Sequence, residues 1–140
     1  MTESLAPFEA FIAEHHILSL ATCHENLPQS ATLFYVYDPL HVSFVVASDT
    51  KTEHIQNVLC NANVSGTVAL ETKSVGKIQG VQFKGKMVLS EDSEDKKRYF
   101  KAFPYALVMN PTLWRIELST MKLTDNRLGF GTKLIWNASE

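Results

Sequence analysis

The run His41-Val42-Ser43-Phe44-Val45-Val46-Ala47, followed at once by Ser48-Asp49-Thr50-Lys51-Thr52-Glu53-His54, decides how this chain is read. The first half is apolar on both faces, which predicts an interior strand. The second half leads into Ile55, Val58 and Leu59 at helical spacing, so a strand end turns here into a helix start. Thr50 and Glu53 stand in the S/T-x-x-E spacing of a capping box. A helix start offers unpaired N–H groups and a partial positive charge. Lys51 adds a full charge, and Ser48, Thr50 and Thr52 add hydroxyls. Such a set suits a phosphate monoester. Hydroxyls and lysines are common at helix starts, so this stretch alone specifies no more than a capped helix.

Upstream, Leu5, Phe8, Phe11 and Ile12 predict a short helix within residues 3–15, with Pro7 in its first turn. His16 to Cys23 reads as a strand ended by the turn His24-Glu25-Asn26. Gln29 to Tyr37 reads as a second strand, rich in β-branched and aromatic residues, closed by Asp38-Pro39. Downstream, a helix over 51–60 is broken by Asn61-Ala62-Asn63. Val64 to Leu70 alternates as a half-buried strand. Lys77 to Ser90 is one long strand with Val81, Phe83, Met87 and Leu89 on one side, and its Gly80 and Gly85 predict a bend or bulge. The acidic Glu91 to Asp95 opens a helix ending near Pro104. Asn110-Pro111 is a turn, Leu113 to Leu123 a strand, Asp125-Asn126-Arg127 a turn and Lys133 to Trp136 a last short strand. The order predicts a mainly β fold: a six-to-seven-stranded antiparallel split barrel of Greek-key type with peripheral helices.

The 140 residues suit a single domain, and 45% hydrophobic content is enough for a real core. A formal net charge of -2 argues against a nucleic-acid surface. The two cysteines, Cys23 and Cys60, form no disulfide framework and no metal spacing; Cys23 reads as a buried structural thiol. An acidic start, Met1-Thr2-Glu3-Ser4, and no apolar run of membrane length place the chain in the cytoplasm. The sequons at Asn63 and Asn137 then carry no meaning. Gly80 to Met87 nearly matches a P-loop, but Met87 stands where Ser or Thr should hold magnesium, and the segment reads as strand. The five histidines show no metal spacing. No paired carboxylates have a reason to be buried together. The crowd of Asp125, Asn126, Arg127, two glycines, Lys133 and Trp136 exceeds what a plain hairpin needs.

With these segments in place, the chain resembles the FMN-binding split-barrel superfamily, the fold of pyridoxamine 5'-phosphate oxidases, and within it the YhbP-like family. Gly80 to Gly85 and Leu123 to Gly131, continuing through Ile135-Trp136, carry the resemblance. It implies FMN held at a homodimer interface. Ser30, Thr32, Leu33 and Tyr35 would run along the flavin, with Val45 and Val46 packing by its ring through backbone contacts as much as side chains. Thr50 and Lys51 would grip the phosphate, with Ser48 and Thr52 nearby, and Gln82 would reach the ring. Asn126 and Lys133 would come from the second subunit; lysine there keeps an arginine's charge but not its planar fork. The oxidases hold their substrate with an arginine and a histidine at positions that are Gly129 and Gly131 here. Two glycines cannot grip pyridoxal phosphate, so the resemblance implies a flavin-dependent redox enzyme of another substrate. No catalytic acid or base is identifiable, and no metal is implied. Two rival readings are a module holding haem or another flavin or tetrapyrrole, with His15, His16 or His41 as axial ligand, and a dimeric scaffold with a decayed site.

Overall fold

A computed structural model describes residues 4–138. The start of the N-terminal helix at residue 3, the acidic N-terminus and the last position of the second sequon lie outside the described residues. Seven strands and three α-helices follow in the order α1 (Ala6–Ala13), β1 (Ile17–His24), β2 (Leu27–Asp38), β3 (Ser43–Ala47), α2 (Glu53–Cys60), β4 (Asn63–Ala69), β5 (Gln79–Ser90), α3 (Ser93–Ala102), β6 (Leu113–Asp125) and β7 (Lys133–Asn137). A 3-10 segment, Pro104–Met109, continues α3 past its end.

All pairings are antiparallel, in the order β3-β2-β1-β4-β5-β6-β7, and β3 also pairs with β6. Six strands therefore close on themselves, and β7 extends the sheet beyond β6. The interior is packed by alternate residues of the strands: Leu18 and Leu20, Tyr35, Phe44 and Val46, Val81, Phe83 and Met87, Ile116 and Met121. Phe8, Phe11 and Ile12 of α1 join this core, as do Ile55 and Val58 of α2. α3 covers the outer side of β3 instead, where Val45, Tyr99 and Leu113 form a second cluster. Leu89 departs from the expected inward side; it is half-exposed because the strand has passed the end of the core at Met87.

The bulge expected from Gly85 lies between Lys84 and Gly85, where the β5–β6 register slips by one residue. A Cβ on Gly85 would run into the carbonyl oxygen of Glu117, so the close strand approach requires glycine. The near-P-loop lies wholly within β5, as strand. Cys23 is half-buried rather than buried, and Cys60 is exposed; both are free thiols. Among the described residues, no helix is long and apolar enough to cross a membrane.

The expectation that no carboxylates are buried together is overturned. Asp38 and Asp95 are 1% and 0% exposed, and Arg115 lies between them. Its Nη1 donates to Asp38 Oδ2 at 3.0 Å, and its Nε and Nη2 donate to the two oxygens of Asp95. The guanidinium supplies the reason the sequence lacked: it neutralises two carboxylates that neither burial nor repulsion would otherwise allow. This network pins α3 to the end of β2.

Candidate cofactor site

β2 is longer than either neighbour, and that fact builds the site. Its first part, Leu27 to Phe34, pairs with β1, while only Tyr35 to Asp38 pairs with β3. The edge of β2 facing away from β1 thus carries no strand over Leu27 to Phe34. β3 ends at Ala47, and the chain peels off there: Ser48 N–H donates to Thr112 O, and Trp114 Nε1 donates to Ser48 O. The segment Ser48 to Thr52 leads from the end of β3 into α2, which packs against β1 and β2. α2 is tied down by Asn57 Nδ2 donating to Thr22 Oγ1 and Asn61 Nδ2 donating to Cys23 O.

The helix start differs from the expected capping box. Thr52, not Thr50, is the N-cap: its backbone is extended and its hydroxyl accepts from Ile55 N–H. The same hydroxyl donates to Asp49 O at 2.8 Å, and Asp49 Oδ1 accepts from Lys51 N–H at 2.8 Å. This Asx turn sets the helix start two residues later than the spacing suggested. Thr50 and Lys51 are left exposed. Among the described residues, the backbone N–H groups of Glu53 and His54 have no partner in the chain. Two orphan donors, a hydroxyl and an ammonium therefore face one turn.

His54, in the sequence only one of five histidines without metal spacing, closes this turn. Its Nε2 lies 2.5 Å from Ser48 Oγ and 3.3 Å from Thr52 Oγ1. Burial lowers its pKa below the usual histidine value, favouring the neutral ring. Ser48 is itself buried and spent on His54, so it supports the turn from beneath.

The remaining expected residues divide by strand parity. Ser30 and Thr32 face outward with Phe34, whereas Leu33 and Tyr35 face the barrel interior. Tyr35 is a core residue whose hydroxyl donates to Ile12 O at 2.6 Å. Val45 and Val46 are fully buried, and their strand is paired on both sides. Their side chains serve the two cores and are not free to touch a ring. On the outer face the register aligns Thr32, Ser19, Thr67, Gln82, Lys122 and Ile135 in one row across six strands. Lys133 stands on the same face, in a neighbouring row with Thr124 and Gly80. Asn126 is engaged within its own chain: Nδ2 donates to Val75 O at 2.8 Å and Oδ1 accepts from Gly131 N–H. Ile17, Phe34 and Ile135 leave apolar surface uncovered on this face.

The family model described as pyridoxamine 5'-phosphate oxidase matches residues 6–119. The chain belongs to that family. Within the pyridoxamine 5'-phosphate oxidase family it is 39% identical over 137 residues to UPF0306 protein YhbP of Salmonella arizonae, covering 96% of this chain and 93% of the relative. Two solved structures share the fold. A haem-binding protein from Mycobacterium smegmatis superposes with a TM-score of 0.78 at 16% identity, over 99% of this chain and 60% of that one. An FAD-binding protein from Mesorhizobium loti superposes with a TM-score of 0.71 at 15% identity, over 88% and 93% of the two chains. Against the oxidase pattern, Gly129 and Gly131 have φ of +126° and +78°. Residues with side chains are strained there, so the turn is shaped for glycine rather than for a substrate-gripping arginine and histidine.

Proposed function

We propose that this chain is a homodimeric, cytoplasmic FMN-binding protein and a flavin-dependent oxidoreductase whose substrate is not pyridoxamine phosphate. The observation that carries the reading is the turn at Thr50 to His54, with its exposed lysine and orphan N–H groups, at the start of the helix that packs against β1 and β2. That donor set fits the phosphate of FMN, and the open edge offers backbone groups to the rest of the flavin. Thr50 and Lys51 hold the phosphate, Thr32 and Gln82 lie on the face the ring covers, and Lys133 approaches from the second subunit. Tyr35, Val45 and Val46 support the site from the core instead of lining it. The uncovered apolar residues on the outer face supply a surface for the second copy. Bound flavin supplies hydride or electron chemistry; the protein supplies orientation and exclusion of water.

The test is the absorption spectrum and mass of purified protein before and after adding FMN. Saturable binding, with bound flavin bands and a dimer mass, supports the reading. A protein that ignores FMN, or stays monomeric with it, overturns it. A haem-holding barrel is the rival that a specific observation favours, because His15 and His16 line one cavity. A Soret band after haem addition, with no flavin binding, would decide for it.

A further inference from the structure

A second cavity, of about 720 Å³, lies at the other free edge of β2, beyond its pairing with β1. Its lining comes from the end of α1, from Tyr35 to Tyr37 and from Ala102 and Phe103 at the end of α3. We propose that this cavity takes the substrate: a flat aromatic molecule, neutral or carrying a protonated amine, and without a phosphate. Naming the occupant as substrate rests on the flavin reading above; the chemistry of the cavity does not.

The walls are apolar and aromatic. Phe103 packs against Phe34 with ring centroids 5.3 Å apart. The His16 ring lies nearly parallel to Phe34, at 6.3 Å and 10°. These surfaces favour a planar ring. The charge pattern disfavours a phosphate. No lysine or arginine lines the cavity; Glu9 is its one acidic residue, and His15 and His16 are imidazoles without a fixed charge. The Glu9 carboxylate accepts from Tyr37 Oη at 2.7 Å and keeps further lone pairs for a donor. A phosphate ester would meet a carboxylate and, besides the two imidazoles, no fixed cation. Phe34 links the two places: it faces outward next along β2 from Thr32, and the cavity begins one residue later. A ring lying over Thr32 and Phe34 would end where this cavity starts.

The experiment titrates the full-length protein, with and without FMN, against indole, tryptamine and pyridoxal 5'-phosphate, reading amide shifts by NMR. Expected is binding in the order tryptamine, indole, pyridoxal phosphate, with shifts centred on Val36, Tyr37, Ala102 and Phe103. Glu9→Gln should reduce the preference for tryptamine over indole roughly tenfold, the low end of the scale for a hydrogen bond to a charge. Ala102→Lys, at an exposed position, should weaken tryptamine and improve pyridoxal phosphate without touching the core. Pyridoxal phosphate binding as well as tryptamine, shifts centred elsewhere, or an unchanged preference in Glu9→Gln would each overturn the proposal. Tryptamine bound here by a protein that ignores FMN would leave the cavity chemistry standing and remove the flavin reading alone.

Discussion

Replacing Arg115 by methionine should destabilise this protein by about 3 kcal/mol, the low end of the range for breaking a buried ion pair. The low end follows from what each carboxylate retains. Asp38 keeps His41 Nδ1 at 2.8 Å and Arg98 at 3.6 Å. Asp95 keeps the Ser90 hydroxyl at 2.5 Å and Arg98 at 3.8 Å. Neither is orphaned, but the only closely bonded guanidinium is gone. For a chain of this size the loss corresponds to a midpoint lowered by roughly 10 °C. Urea unfolding at pH 7 measures it, with the slope unchanged. A loss under about 1 kcal/mol would refute the reasoning. A second arm removes the charges together: Asp38→Asn and Asp95→Asn added to Arg115→Met should recover much of the loss, since no buried charge then lacks a partner. Acid gives a third readout. Burial alone would raise the Asp38 pKa, but His41, Arg115 and Arg98 override it and hold the carboxyl at about 2. Its folded pKa lies below its unfolded one, so its stabilisation is complete above about pH 4 and is lost as pH falls toward 2. That part of the acid slope should flatten in Arg115→Met.

Lys51→Ala should weaken FMN binding by ~1.5–3 kcal/mol, roughly 10- to 150-fold, with no change in unfolding midpoint because the side chain is exposed; equal affinities by fluorescence titration would remove the phosphate turn from the site. Gly85→Ala should cost roughly 2–3 kcal/mol or more, because the new methyl meets Glu117 O in a bulge that cannot widen without breaking β5–β6 pairing. An unchanged urea midpoint would count against that account. The His54 imidazole should titrate by NMR with a midpoint below 6.5, since burial opposes its charged form. The linked stability is therefore present above pH 6.5 and declines as pH falls below it; a midpoint above 6.5 would show that the ring is not held neutral by its surroundings.

The barrel was legible because its strands advertise themselves by alternation and by β-branched runs. Val81, Phe83 and Met87 face inward as read, and β3 is buried on both faces as its unbroken apolar run required. Gly85 announced the bulge. What sequence spacing missed depends on parity and on distant partners. Tyr35 does not share the outer face of Thr32, because an odd offset turns a side chain through the sheet. The capping box failed because Asp49, outside the motif, folds back on Lys51 N–H and moves the helix start. The Asp38–Arg115–Asp95 network spans separations of 77 and 20 residues, and Asp38 sat beside a proline where a turn was the natural reading. The one available signal was an arginine in the apolar run Leu113-Trp114-Arg115-Ile116, where a charge must have a buried partner.

Both candidate sites trace back to the length of β2. A twelve-residue strand covered on one side over its first part and on the other side over its second leaves two free edges, one on each flank. The changeover falls at Phe34 and Tyr35. A longer β3 would pair the first edge and displace the turn at Thr50 to His54 that now follows it. Extending β1 upstream would pair the second edge and remove the cavity under α1. The three helices that flank these gaps are anchored by side-chain bonds to strands, α1 through Tyr35 and Tyr37, α2 through Asn57 and Asn61 and α3 through Asp95. The gaps are therefore held open by the fold and do not depend on a ligand to form. Such preorganisation lowers the ordering cost of binding. It also means that affinity changes at the phosphate turn and stability changes at Arg115 belong to separate parts of the molecule, and their effects should add in a double variant.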